Sequence, residues 1–457
     1  MMKLFAQNIL LHDGWQQDKT LHLENGVITS ITSGQDADAY VADGAVIPGM
    51  INCHSHAFQR GFAGFSEQGS STQDSFWTWR KVMYQFLDNI SVEQAGIIAS
   101  QLYIEMLKAG YTRVAEFHYL HHDKNGENHS QLATMAQAIF SAAKDAGIGI
   151  TMLPVMYRFS GFGAQQPNDG QKRFINSISQ FNQLVSDCFS IAKQQPNANV
   201  GIAPHSLRAV DKESLTAAVA HVRSLDSKAP VHIHISEQQK EVDDCLAHYN
   251  KRPVQWLLDN ADLDENWCLI HATHLDEQEI AGIVASKAVA GICPTTEANL
   301  GDGIFPTTEF MAHGGQLAIG SDSHISVSAI EELRLLEYAQ RLSKQQRAIL
   351  ATDEVASVGQ NLWQHSARAG ALTTNSNTGE LAIGKQADLL VLDSKQTRLF
   401  ANSNKCLLDS MIFASQQNPI KDVMVNGHWV VVGGQHQQQD NIAEQFAEIL
   451  RLLAGNQ

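Results

Sequence analysis

Two histidines separated by one residue, His54 and His56, follow an apolar run from Ala45 to Ile51 that is broken by Pro48 and Gly49. Side chains at i and i+2 of a strand point to the same side, so both imidazoles can reach one metal ion. In a chain with 20 histidines such a pair alone carries little weight. Three further apolar segments end in a ligating residue type: Val231-His232-Ile233-His234, Cys268-Leu269-Ile270-His271 and Leu317-Ala318-Ile319-Gly320-Ser321-Asp322. His54, His56 and His234 offer neutral imidazoles, and Asp322 offers a carboxylate. That set suits one Zn²⁺ per subunit, or another divalent ion, with a position left for water. Water held this way loses a proton near neutral pH and becomes a nucleophile. Asp322 can also accept that proton. No Lys stands at the third or fourth strand end to bridge two ions; Pro154 and Pro204-His205 occupy those places, so one ion is expected.

His271 ends the strand after His234. It is expected to hydrogen-bond the water or the developing tetrahedral centre, the alternative being a structural histidine behind the ligands. Glu237 lies one turn beyond His234. It either carries protons to a leaving nitrogen or is a helix N-terminal glutamate favoured by the dipole; spacing does not separate the two.

Catalytic groups at the ends of several strands are the habit of a (β/α)8 barrel. From about 49 to 375 short apolar strands alternate with longer helical segments, which favours a parallel sheet or barrel. The strand ends are His54/His56, Glu116, Pro154, Pro204-His205, His234, His271, Pro294 and Asp322, the count that a closed barrel needs. Helices are expected over Val92 to Lys108, Leu132 to Asp145, Leu215 to Leu225, Pro253 to Leu258 and Ile330 to Arg341. Both ends of the chain read as β, with tight-turn signals at Asn25-Gly26 and Asn426-Gly427. The expected architecture is α/β: a TIM-like barrel over 49–375, a small β-sandwich built from 1–48 and 376–436, and a C-terminal helix in 437–457. That helix packs on its own domain or on another subunit, and its apolar pattern fits both.

The 457 residues suffice for a barrel plus a small domain, and a net charge of -16 disfavours nucleic acid as a partner. Six scattered cysteines form no CxxC pair and read as reduced, mostly buried thiols. No apolar run reaches the length of a membrane span, and the start of the chain lacks the pattern of a secretory leader. A cytoplasmic location without membrane association is expected.

The strand-one H-x-H, strand-five His, strand-six His and strand-eight Asp together resemble the amidohydrolase superfamily. Within it, four stretches are similar to the family of N-formimino-L-glutamate deiminases. They are Pro48 through Arg60, Asp74-Ser75-Phe76-Trp77-Thr78-Trp79-Arg80, Tyr111 through His122, and Ala203-Pro204-His205-Ser206-Leu207-Arg208. The resemblance implies hydrolysis of the formimino group, an amidine, to N-formyl-L-glutamate and ammonia in histidine degradation. It implies that Glu237 and Asp322 move protons, that His271 steadies the nucleophile, and that the chain is a homodimer. For a dicarboxylate it implies Arg80 and Arg208 as two-bonded carboxylate grips, with Gln59, Tyr119 and His205 adding single hydrogen bonds. Trp77 and Trp79 would build the segment that carries Arg80. His118, His121 and His122 are expected to be loop histidines rather than a second metal cluster. The competing expectation is a deaminase of the same fold acting on an aromatic heterocycle, whose pocket would want stacking aromatics and few arginines.

Overall fold

The computed structural model describes residues 2–65, 67, 80, 83–84, 86–87, 89–397 and 406–454. Eight apolar runs form parallel strands: β1 (Met50–Ser55), β2 (Tyr111–His118), β3 (Gly149–Met156), β4 (Ala203–Pro204), β5 (Val231–Ile235), β6 (Trp267–His271), β7 (Val289–Ile292) and β8 (Gln316–Ile319). Every residue of β2, β3, β5 and β6 is buried. Burial on both faces explains why these strands read as continuous apolar runs instead of alternating ones. Strands β1 to β4 pair in one sheet and β5 to β8 in another. The two sheets touch at both edges, through a parallel bridge between Ser55 and Asp322 and another between Ile202 and Val231. Gly320, just past β8, makes the first contact possible: a Cβ there would lie 2.9 Å from the backbone nitrogen of His54.

The helices that separate the strands follow local signals. The helix Val92–Lys108 starts at Ser91, which forms a capping box with Gln94, and buries Ile98, Leu102 and Met106 at four-residue spacing. The helices Lys212–Leu225 and Ala329–Lys344 start three residues and one residue earlier than the apolar pattern announces, because Asp211 and Ser328 cap them.

The two ends of the chain share one eight-stranded sheet. Leu389, Leu390 and Val391 pair antiparallel with Pro48, Ile47 and Val46, so the C-terminal strand lies against the strand that leads into β1. Both hairpins have the expected turns, with positive φ at Asn25 and Gly26 and at Asn426 and Gly427. Leu389 and Val391 face a core belonging to the sheet, while Leu390 and Leu392 join the main core, as the period of two requires. The C-terminal helix Gln439–Ala454 lies on its own chain. Ile449 and Leu453 join the cluster that holds Ala95 and Ile98, and the Lys108 ammonium donates to the Gln439 side-chain oxygen at 2.8 Å. All six cysteines are free and five are buried. No helix among the described residues is long and apolar enough to cross a membrane.

Candidate active site

His54 is the fifth residue of β1, and His56 follows the strand as the cap of a short 3-10 turn. Their rings stand edge to face, 4.6 Å apart. From β5, His234 brings its Nε2 to 3.0 Å from Nε2 of His54. Asp322 places Oδ1 at 3.4 Å from Nε2 of His54 and 3.2 Å from Nε2 of His56. Behind the cluster, Nδ1 of His56 donates to the Phe117 carbonyl at 2.9 Å and Nδ1 of His234 to the His205 carbonyl at 3.0 Å. Those bonds leave Nε2 as the lone-pair nitrogen, turned inward on both rings. Burial, reinforced by the neighbouring His56, pushes His54 down to about 3. Burial likewise holds His234 well below the ordinary histidine value. For Asp322, burial works upward, but its hydrogen bonds to His54 and His56 outweigh it and hold the carboxyl well below the usual range. His54, His56 and His234 stand close enough to hold one ion, and Asp322 makes a second such group with His54 and His271; imidazole lone pairs and an ionised carboxylate so placed fit a divalent cation.

His271 closes β6 in a left-handed conformation, φ 66°. Its Nε2 lies 3.7 Å from Glu237 Oε1 and 3.8 Å from Asp322 Oδ2, and its Nδ1 lies 3.3 Å from Glu297 Oε1. Burial alone would depress this ring; the carboxylates of Glu237, Glu297 and Asp322 reverse that and raise it to about 10. Glu237 is buried in the turn ahead of the helix Gln239–Tyr249, so it is not part of that helix. Burial pushes its carboxyl up. Behind these side chains, Glu116 accepts from the backbone N–H of Ala57 at 2.7 Å and from the Ser55 hydroxyl at 2.7 Å, which pins the turn that carries His56.

One pocket opens over these groups, with about 510 Å³ of empty space including its open mouth. Its lining includes His56, His234, His271, Asp322 and Glu237 together with Gln59, Arg80, Tyr119, His205 and Arg208. Every site residue singled out from the sequence is there except His54, which is wholly buried among the candidate ligands. Gln59 donates to the Tyr119 hydroxyl at 3.2 Å. Arg208 Nη1 lies 3.9 Å from Glu241 Oε2. Burial, with Arg208 adding to it, holds His205 well below the ordinary value.

Sequence reasoning missed Tyr84, Tyr157, Glu241 and Glu297. Only Glu297 carried a signal, since it stands three residues past the Pro294 strand end, as Glu237 stands three past His234. The segment Asp74 to Trp79, with Trp77 and Trp79, lies outside the described residues. His121 and His122 donate to the carbonyls of Val155 and Ile175, at 3.0 and 2.8 Å. His118 is not a loop histidine, since it is the last residue of β2; among the described residues the three form no candidate metal group.

A protein-family model described as the amidohydrolase family matches residues 45–430. A formimidoylglutamate deiminase from Pseudomonas aeruginosa is 46% identical over 452 residues, covering 98% of this chain and 99% of its own. A 5-methylthioadenosine/S-adenosylhomocysteine deaminase from Shouchella clausii is 27% identical over 424 residues, covering 89% and 87% of the two chains. Among solved structures, an amidohydrolase from Brucella melitensis aligns at TM-score 0.94 and 43% identity, over 99% of this chain and 100% of that one. A zinc-bound adenosine deaminase from Xanthomonas campestris aligns at TM-score 0.79 and 19% identity, over 99% and 98%, a likeness of fold alone.

Proposed function

The chain belongs to the amidohydrolase family, and from that premise we infer that it hydrolyses N-formimino-L-glutamate to N-formyl-L-glutamate and ammonia, a step of histidine degradation. One observation carries this reading: a single pocket holds a metal-fitting floor and two guanidinium groups. The relative at 46% identity bears a deiminase name over its full length, which supports the same substrate.

His54, His56, His234 and Asp322 would hold one zinc ion per subunit. When bound, the metal supplies Lewis-acid activation of a water molecule. Asp322 takes a proton from the attacking water as its oxygen bonds to the amidine carbon. Glu237 protonates the imino nitrogen as the C=N π pair moves onto it, giving HO–CH(NH2)–NHR. Asp322 then passes its proton to the same nitrogen while Glu237 takes back the hydroxyl proton. The C=O forms, the C–N bond to that nitrogen breaks, and ammonia leaves. His271, held between Glu237, Asp322 and Glu297, hydrogen-bonds the oxygen through this sequence. Arg80 and Arg208 grip the substrate carboxylates, while Gln59, Tyr119 and His205 orient the rest.

The architecture that serves this site is a (β/α)8 barrel over 49–375. The bridges Ser55–Asp322 and Ile202–Val231 support its closure. A sandwich made from 1–48 and 376–436 would follow if the terminal sheet curls over its own core, and the C-terminal helix in 437–457 completes the chain. The working form is a cytoplasmic homodimer.

Four aromatic side chains, Tyr84, Tyr119, Tyr157 and Phe174, also line the pocket, and they favour the second reading, a heterocycle deaminase. A neutral heterocycle would give the two guanidinium groups no carboxylate to grip, whereas a dicarboxylate uses both. The deciding experiment measures ammonia release by zinc-loaded and metal-free protein from N-formimino-L-glutamate and from a panel of purines and pyrimidines. Metal-dependent release from the formimino compound is the expected result. Release from a heterocycle alone would overturn it.

A further inference from the structure

Glu241 has no part in the machinery above, yet its side chain is buried between two residues that do. It is the third residue of the helix Gln239–Tyr249, and its carboxylate is shut off from solvent. One oxygen, Oε2, serves two partners. It accepts the backbone N–H of Glu237 at 3.2 Å and lies 3.9 Å from Nη1 of Arg208. Both partners need holding. The chain leaves β5 through Ser236 in the left-handed region, φ 52°, which strains a residue with a side chain, and Glu237 is the next residue. Arg208 stands between two cavities. It lines the pocket of the candidate site and also an outer cleft that includes Phe162, Lys240 and Asp244. Without an inner partner its guanidinium can turn into that cleft.

We propose that Glu241 is a positioning residue that sets the substrate grip and the proton carrier against each other: its carboxylate holds Arg208 toward the pocket and anchors the backbone of Glu237. A glutamate that reaches back from the third position of a helix is an ordinary helix start, and that accounts for the bond to Glu237. A glutamine caps a helix in the same way, without the cost of burying a charge. The helix start therefore leaves the charge unexplained, and the guanidinium beside it supplies the reason. Because one oxygen meets both partners, a shift of Glu241 moves the carboxylate grip and the proton carrier together. The inference rests on the proposed deiminase reaction and deepens it by naming what orients Arg208 and Glu237 in the same site.

The test uses the full-length zinc-loaded protein at pH 8, because burial, opposed by Arg208, pushes the Glu241 carboxyl up to about 7. Glu241→Gln keeps the acceptor for Glu237 and removes the charge beside Arg208. It should raise KM for N-formimino-L-glutamate about tenfold, the low end for a close charge pair at a binding site, with kcat changed about twofold or less. In Arg208→Ala protein the same change should raise KM no further, because its effect passes through the guanidinium. Glu241→Asp keeps the charge but draws the oxygen back from both partners. It should raise KM and lower kcat together, each about fivefold or more, and it carries the test should the glutamine variant fail to fold. An unchanged KM in the Glu241 variants, or an equal rise with and without Arg208, overturns the proposal. An unchanged kcat in Glu241→Asp overturns the anchoring of Glu237. Glutarate binding, followed by calorimetry, reads the grip without turnover and should weaken about tenfold in Glu241→Gln. Glutarate that binds wild type and variant equally, or neither, also overturns the proposal. Wild-type protein that binds glutarate in a Glu241-dependent way yet releases no ammonia overturns the deiminase reading and leaves the hold of Glu241 on Arg208 standing.

Discussion

Asp322 donates its backbone N–H to the carbonyl oxygen of His54 at 3.0 Å. The two residues are 268 positions apart in the chain, yet this bond fixes the register of the last strand against the first. The Asp322 side chain then returns over the same residue, and its Oδ1 lies 3.4 Å from the His54 ring. Three of the four candidate ligands are therefore set by one backbone contact between two strand ends.

That contact depends on Gly320. A Cβ at this position would stand 2.8 Å from the Cβ of His54 and 3.0 Å from its carbonyl oxygen, and backbone atoms have little room to yield. Gly320→Ala should cost about 1–3 kcal/mol of stability through overpacking and lower the metal content per subunit. Thermal melting and elemental analysis measure both. A variant with unchanged melting temperature and full metal content would show that the strands can separate freely.

Asp322→Asn keeps the backbone bond and removes the charge. Turnover should fall by on the order of 10²–10⁴, the range for a lost general base, with far-UV circular dichroism unchanged. An Asp322→Asn enzyme that retains full turnover would refute the assignment of the proton to this carboxylate.

Much of the candidate site was legible because each candidate ligand ends an apolar run, so strand periodicity and chemistry point to the same residues. The helix Val92–Lys108 was legible to its ends because Ser91 caps it and Gly110, with φ 96°, stands just past it. Tyr84, Tyr157 and Glu241 were not legible, since their partners, Gly170, Gln171 and Arg208, come from other elements and only packing brings them together. Glu237 had two readings of equal spacing; it stands just ahead of the N-cap Gln238 and also lines the pocket, so its place is compatible with both. The single sheet shared by both ends was legible as β structure, but the pairing of Val391 with Val46 depends on long-range register that no local pattern encodes.

Arg208 is buried beside Glu241 and faces the pocket. Arg208→Ala should raise KM for N-formimino-L-glutamate roughly 10- to 100-fold, the scale of a charge-assisted pair. Arg208→Lys should recover part of this, because it restores the charge without the two-bonded geometry. Steady-state kinetics of the two variants decide the matter, and an unchanged KM in the alanine variant would remove Arg208 from the substrate grip.

Chelation should abolish ammonia release and lower the melting temperature, and zinc should restore both. A ligand that binds only the folded state adds about 2.7 kcal/mol when present at 100 times its Kd. The melting temperature should therefore climb with free zinc concentration in wild type and less steeply in His234→Ala. A melting temperature indifferent to zinc would mean that the imidazole cluster is not the metal's seat.

Asp302 gives the pH test. Burial, with Glu237 adding to it, raises its carboxyl from the ordinary 3.8 to about 9. The folded state thus holds this proton more tightly than the unfolded chain. The stabilising contribution is complete below the unfolded value and is lost as pH rises from there through about 9. Asparagine carries no titrating proton and still offers an oxygen to the Gln238 amide, which bonds the Asp302 carboxyl now. Groups that do not interact with Asp302 cancel in the difference, and removing its charge eases the ionisation of Glu237 in the same direction, so the melting temperature of Asp302→Asn relative to wild type should climb steadily from pH 5 to pH 9, by about 2 °C or more overall. Melting curves of the zinc-loaded proteins at pH 5, 7 and 9 measure that difference. Curves that stay parallel would mean that the carboxyl is already ionised in the fold, and that the like charge of Glu237 beside it is balanced by His271.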